Sequence, residues 1–251
     1  MTYFFHDAPL QPGTAVELRG EEAHHLLRVR RIRTGERFAL QDPQGRRFAA
    51  ELTGLERHSA QAIVREALPV PAAPAVRVTL LQASVKDKAA ELIVEKATEL
   101  GVAALVFFPG AHGTVPHKAL AAPQLLARWE RIAREACKQC DRQFPPSVTI
   151  LPSLDAALRA HPAQPTAGTH GWLLHPGAGC SAAEALAAMQ TPAHIPLRPA
   201  ALMVLCGPEG GLTAAEVEAA TAAGYTPVRL GATTLRAETA ALAACALAVL
   251  G

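Results

Sequence analysis

Aromatic residues make up only 4% of this 251-residue chain, although half of its residues are apolar. The core must therefore be built from Ala, Leu and Val. No apolar run reaches the ~20 residues that a membrane-spanning helix requires. The first seven residues have neither the basic segment nor the apolar stretch of a signal peptide. These absences point to a soluble, cytoplasmic protein without a membrane partner. Cysteines are few and odd in number, five in all. Cys137 and Cys140 form a C-x-x-C, but no second Cys or His pair stands at ligand spacing, so buried free thiols are expected and no metal. Charge of one sign is not in excess either. A net charge of +2 argues against a nucleic-acid footprint over the whole surface, and gives weight to where the basic residues cluster.

The length suits one large domain or two small ones. Pro69, Pro71 and Pro74 mark an extended linker. Before it, residues 16–66 hold short β-like runs around Phe38, Phe48 and Ile63, separated by turn signals such as Asp42-Pro43-Gln44-Gly45. The pattern predicts a small β-barrel over residues 1–70 with one helix around residues 21–28. Residues 75–251 instead alternate strand and helix, which predicts an α/β domain on a mostly parallel sheet. Strands are expected over 76–81, 102–108, 172–174, 203–206 and 228–230. Helices are expected over 87–100, closed by Gly101, over 124–141, and after the capping pairs Ser181/Glu184 and Thr213/Glu216. Segments 161–168 and 191–200 read as loops. The last helix, 238–250, carries no charge after Glu238, and a helix apolar all round is buried on every side.

Two glycine turns stand out. Gly207-Pro208-Glu209-Gly210-Gly211 follows the run ending at Cys206, and Leu230-Gly231 opens a second turn that ends at Leu235 and Arg236. Glycines directly after buried parallel strands let backbone approach a ligand without an intervening Cβ, and open α/β sheets bind ligands outside the carboxyl ends of their strands. The first turn lacks the lysine of a phosphate loop and the spacing of a dinucleotide loop. Glu209 within it would repel a pyrophosphate and suits a cationic ligand.

The ordered motifs extend beyond these turns. Lys96-Ala97-Thr98-Glu99-Leu100-Gly101-Val102, the Glu135-to-Arg142 segment and the His25-to-Arg31 run, together with the GPEGG turn and the Leu230-to-Ala240 segment, resemble the RsmE-type enzymes of the SPOUT methyltransferases in the same order along nearly the whole chain. The resemblance implies an N-terminal PUA-like, RNA-binding barrel and a C-terminal SPOUT domain whose last segment threads a trefoil knot at a homodimer interface. It implies methylation of uridine N3 in 16S ribosomal RNA of the small ribosomal subunit, with S-adenosylmethionine as methyl donor. The cofactor would lie among Leu174, His175, Cys206, Gly207, Pro208, Glu209, Gly210, Leu230, Gly231 and Leu235, its adenine held by backbone groups between leucines. Another RNA specificity on the same fold, tRNA or ribose 2′-O methylation, and a non-catalytic ribosome-assembly role are the alternatives.

Arg236 and Glu238 are the candidate catalytic residues. A guanidinium can stabilise charge developing on the uracil oxygens, and a carboxylate can accept the N3 proton. Glu238 can equally complement the dipole of the helix it opens. For RNA contact, Arg128, Arg131, Arg134, Lys138 and Arg142 share one side of the helix over 124–141, with Gln139 in the same segment. Arg28 and Arg31 belong to a second basic cluster that follows His24 and His25. Arg30 departs from the apolar residue usual in the family, and residues 110–114 lack the arginine of its usual Ser-Glu-Arg loop. Lys96, on an otherwise apolar helix face, is either a snorkelling lysine or one near the RNA site.

Overall fold

The computed structural model describes residues 3–56, 58–72, 74–113, 115, 117–120, 122–164, 168–189 and 201–250, except for the side chains of residues 28, 29, 117 and 118. Residues 165–167 and 191–200, read above as loop, lie outside the described residues. The chain forms two compact units: Met1–Ala72 with Cys137–Phe144, and Ala73–Ala136 with Pro145–Gly251.

The first unit is a curled five-stranded half-barrel in the order β1-β3-β4-β5-β2. Its strands are β1 (Tyr3–Phe5), β2 (Ala15–Arg19), β3 (Arg37–Gln41), β4 (Arg47–Leu55) and β5 (Ser59–Leu68). β1 pairs parallel to β3, and the other pairs are antiparallel. Register shifts between Ala49 and Ala50 and between Leu52 and Gly54 of β4 are bulges that bend a sheet. Phe4, Leu18, Leu26, Phe38, Leu40, Phe48 and Leu52 pack in its core. The helix expected at 21–28 is α1 (Gly20–His24) followed by a π-helical stretch over His25–Arg30, which ends at Arg31 in the left-handed region (φ 53°).

Segment 137–144 is tied into this unit by polar contacts that no local pattern announces. Arg47, 4% exposed, donates to the Gln41 side-chain oxygen (2.9 Å), the Asp141 carbonyl (2.8 Å) and the Asp141 carboxylate, while lying over the Tyr3 ring. The Tyr3 hydroxyl donates to the Arg142 carbonyl, and the Gln143 amide donates to the Gly45 carbonyl (3.0 Å). Gly45 closes the Asp42 turn at φ +77°.

The second unit is a seven-stranded, all-parallel sheet. Its strands are β6 (Arg77–Ala83), β7 (Ala104–Phe108), β8 (Ser147–Ile150), β9 (Thr169–Leu174), β10 (Cys180–Ser181), β11 (Ala201–Cys206) and β12 (Thr226–Arg229). Their order is β10-β12-β9-β11-β6-β7-β8. Strands β6, β7 and β8 proceed in one direction, whereas β11 lies on the other side of β6, so the order reverses between β6 and β11. Such a reversal opens a crevice at the carboxyl ends. The expected helices are present as α2 (Asp87–Glu99), α4 (Pro123–Cys140), α6 (Ala182–Met189), α7 (Ala214–Ala222) and α8 (Ala237–Leu250), joined by the short α3 (His117–Leu120) and α5 (Leu154–Ala160). Gly101 closes α2 at φ +91°. Thr213 and Glu216 form a reciprocal capping box, as do the Ser181 and Glu184 side chains with each other's backbone N–H. Phe107 and Trp129 stack at 4.2 Å in a core that also holds Trp172, Cys206 and Cys245 and is otherwise made of Ala, Val, Leu and Ile.

The chain turns back after β12, and α8 packs on α2, β6 and β11. Within the single chain its burial is one-sided. Ala237, Ala241, Ala244, Cys245 and Ala248 are buried, whereas Leu247 is 41% and Leu250 76% exposed. Small alanines turn toward the sheet, Leu242 packs at the core's edge, and Leu247 and Leu250 are left outside. Lys96 also departs from an apolar setting. It is half-exposed, and its ammonium is 2.8 Å from both Glu95 and Glu99, partners that hold its pKa above the ordinary lysine value.

Candidate active site

A cleft of about 820 Å³ lies at the carboxyl ends of β9, β11 and β12 and the start of α2. Parallel pairing sets those ends level: Cys206 of β11 faces Gln82 of β6, and Val228 of β12 faces Leu174 of β9. Each strand therefore releases its following turn toward the same space. Leu174, His175, Cys206, Gly207, Pro208, Glu209, Leu230, Gly231 and Leu235 all line the cleft, and so do Arg236 and Glu238.

Gly210 does not. A Cβ there would stand 2.8 Å from the His112 Cβ and 3.3 Å from the His112 carbonyl. Its place is against the 110–113 loop, and its lack of a side chain serves packing. His112 Nδ1 lies 3.2 Å from the Gly210 carbonyl, and Ala111 N–H donates to the Glu216 carboxylate at 3.0 Å. Glu216 thus caps α7 and anchors the loop behind the turn. Burial raises its pKa, but the N–H groups of Ala111 and Thr213 and the Thr213 hydroxyl outweigh that and leave it below the usual carboxylate range. A depressed pKa adds stability that is present above the unfolded value, about 4.3, and is lost as pH falls through the lower folded value. Glu216→Gln is accordingly expected to cost about 1 kcal/mol near neutral pH and to flatten the acid-side decline of Tm, measured by thermal melts across pH.

The two wall chemistries differ. Leu92, Ala89, Leu174, Val228, Leu230 and Leu235 supply apolar surface, and Glu209 and Glu238 supply carboxylates. Glu209 also accepts from the Lys86 N–H at 3.4 Å. The Leu174–His175 end is fixed by His175 N–H donating to the Val228 carbonyl (3.0 Å), while its ring Nδ1 accepts from Gly177 N–H (3.2 Å). Cys206 is buried, which pushes its thiol up to about 12 and keeps it a neutral apolar wall. Gly231 has nothing within 4 Å of where its Cβ would be, so backbone there borders open space. Arg236 precedes α8, and its carbonyl accepts from Ala240 N–H at 2.8 Å. Among the described residues its guanidinium has no ion-pair partner. Glu238 lies in the first turn of α8. A volume of this size suits a ligand of nucleoside dimensions. The apolar faces and glycine backbone fit an adenosyl group, and Glu209 and Glu238, which stand among Lys86, Lys88, Arg229 and Arg236, can meet a sulfonium's positive charge.

Lys86, Lys88, Ala89 and Leu92 also line the cleft and were missed in the sequence. They follow β6, far in sequence from either glycine turn, and only the β6–β11 pairing brings them there.

The basic residues separate into two groups. On α4, Arg128, Arg131, Arg134 and Gln139 are exposed, and Arg128 pairs with Glu91. Lys138 corrects the expected open stripe. It is 4% exposed, with its ammonium 2.7 Å from Glu22 and above the Phe5 ring. Arg142 is half-buried, and burial lowers its pKa. Both side chains serve the packing of the half-barrel. Replacing Lys138 by Met would strand the Glu22 carboxylate, whose second oxygen already lacks a partner. The expected cost is about 3 kcal/mol in urea unfolding, with the salt dependence of RNA binding unchanged. Arg31 is exposed, while the Arg28 side chain lies outside the described residues. His24 is exposed, and His25 packs edge-on to Phe4. The five cysteines are free. No metal-binding cluster occurs among the described residues, and none of the described helices is long and apolar enough to cross a membrane.

A parallel α/β sheet with a glycine-walled cleft, in one chain with a curled half-barrel, is here a protein of the RNA-modifying class, as its family matches show. The chain belongs to the RNA methyltransferase domain family, which it matches over residues 72–249, and it matches the RNA methyltransferase PUA domain over residues 18–65. It is 33% identical over 243 residues to the ribosomal RNA small subunit methyltransferase E of Mycobacterium bovis, covering 96% of this chain and 88% of that one. Its structure superposes on a ribosomal RNA small subunit methyltransferase E from Neisseria gonorrhoeae bound to S-adenosyl methionine, with a TM-score of 0.82, 30% identity and coverage of 98% and 95%. A Legionella pneumophila methyltransferase in complex with SAM superposes with a TM-score of 0.83, 25% identity and coverage of 98% and 96%.

Proposed function

We propose that this chain methylates N3 of a uridine in 16S ribosomal RNA of the small ribosomal subunit, using S-adenosylmethionine. The cleft carries this reading: two glycine turns, apolar walls and two carboxylates converge there, and beside them stands Arg236, which has no ion-pair partner among the described residues. Leu174, His175, Cys206, Gly207, Pro208, Glu209, Leu230, Gly231 and Leu235 would hold the cofactor, which supplies a methyl group on a sulfonium. Leu230 and Leu235 would pack its adenine, and Glu209 would complement its positive charge. Glu238 accepts the N3 proton, and Arg236 stabilises the negative charge that spreads over the uracil oxygens. The target base must be unpaired or extruded to reach such a cleft.

Residues 1–70 act as the RNA-binding half and 75–251 as the methyl-transfer half, with Arg31, Gln139 and the exposed arginines of α4 as phosphate contacts. The return of the chain from β12 to α8 across β9 and β11 supports a threaded, knotted C-terminus. The exposed Leu247 and Leu250 support a homodimer that covers them, and a ribosomal substrate accords with a cytoplasmic location. The test is nucleoside mass spectrometry of 16S ribosomal RNA from cells lacking the protein, before and after their small subunits are treated with purified protein and S-adenosylmethionine. Appearance of 3-methyluridine at one position is expected. Its absence, with the cofactor bound, would move the target elsewhere.

A further inference from the structure

Gln82 is wholly buried on β6, directly opposite Cys206 of β11. At this point the two strands part. Ser84 N–H goes to the Phe108 carbonyl of β7 (2.7 Å), while β11 leaves the sheet as Gly207. The β6–β11 register ends at the Gln82–Cys206 pair, so Gly207 lies just beyond it. There the Gln82 amide nitrogen donates to the Gly207 carbonyl (3.1 Å) and the Ala83 carbonyl (2.8 Å). Turning the amide over would set its oxygen against both carbonyls, so its orientation is fixed. Its own oxygen is buried without a partner among the described residues. A buried unsatisfied oxygen is rare in folded proteins, and a side chain that breaks this rule while completing a ligand-binding turn points to function.

We infer that Gln82 is a positioning residue of the cleft: its amide holds the Gly207 carbonyl, and with it the wall that the first glycine turn presents to the methyl donor. The inference rests on the reading of the cleft as an S-adenosylmethionine site. It predicts that a side chain at this position matters through its ability to donate, not through its volume.

The test uses the full chain with Gln82→Glu and Gln82→Leu. S-adenosylmethionine affinity is measured by calorimetry at about pH 5.5 and about pH 8.5, with thermal melts alongside. Burial raises the pKa of a glutamate here. At the lower pH its neutral acid can donate to one carbonyl; at the higher pH its carboxylate faces two carbonyl oxygens. Gln82→Glu is expected to bind close to wild type at low pH and about tenfold or more weaker at high pH, while wild type changes little. Gln82→Leu is expected to lose about tenfold at both. Should Gln82→Glu fail to fold, Gln82→Leu decides alone, and wild-type affinity in it overturns the proposal. Equal losses for Gln82→Glu at both pH values, tracking lowered thermal stability, also overturn it, since they would reflect packing alone. A wild-type chain that binds no S-adenosylmethionine overturns the underlying reading of the cleft instead.

Discussion

Replacing Arg236 by Ala is expected to slow methyl transfer by about 10²–10³-fold while leaving S-adenosylmethionine affinity unchanged or slightly improved. The guanidinium lines the cleft without an ion-pair partner among the described residues, so its removal breaks no structural pair and leaves no buried charge behind. It also removes a cation from beside a cationic ligand, which accounts for the sign of the affinity change. Loss of charge stabilisation falls on the transition state, where negative charge spreads over the uracil oxygens, and hardly on the ground state. Arg236→Lys is expected to recover only part of the rate, because an ammonium lacks the planar fork that can address two acceptors. Single-turnover rates on small subunits, set against cofactor affinity by calorimetry, separate the two terms. Equal losses in rate and affinity would make Arg236 a cofactor contact instead.

Gly231→Val is expected to lower S-adenosylmethionine affinity by about 100-fold, on the order of 3 kcal/mol, with little change in Tm. No atom lies within 4 Å of the added Cβ, so the protein by itself has room for the branched side chain. That room is the cleft, and the cofactor would have to share it. Gly210→Val is the contrasting case. Its Cβ meets the His112 backbone and Cβ, neither of which moves freely, so the expected loss is in stability, about 1–3 kcal/mol. Thermal melts and calorimetry on both variants check the pair of outcomes. A Gly231→Val protein with unimpaired cofactor affinity would place the cofactor elsewhere.

These two glycines show how much of the site is legible in the motif. Both stand in conspicuous glycine turns, and a sequence reading gives both to the ligand. Only one lines the cleft, because the role of a missing side chain depends on what lies opposite it. For Gly210 that is a loop 98 residues earlier in the chain. Lys138 carries the same lesson with opposite sign. Helical spacing puts it in line with exposed arginines, but α4 enters the first unit at Cys137, and there Glu22 and Phe5 enclose the ammonium. Periodicity assigns a face to a helix and says nothing of what a later turn of that helix meets.

The sequence alone determined the elements whose causes are local. Capping pairs at Ser181 and Thr213, the Gly101 helix stop, the parallel strands before each glycine turn and the change from β-rich to alternating pattern at the proline linker all act within a few residues, so their signals lie side by side in the chain. The tertiary structure decided everything that depends on strand order. Placing β11 beside β6 brings Gln82 under Gly207 and the start of α2 into the cleft. The return of α8 turns its alanines inward and Leu247 and Leu250 out. Strand order is set by which apolar faces can be buried together over long separations, and no local spacing in this chain encodes it.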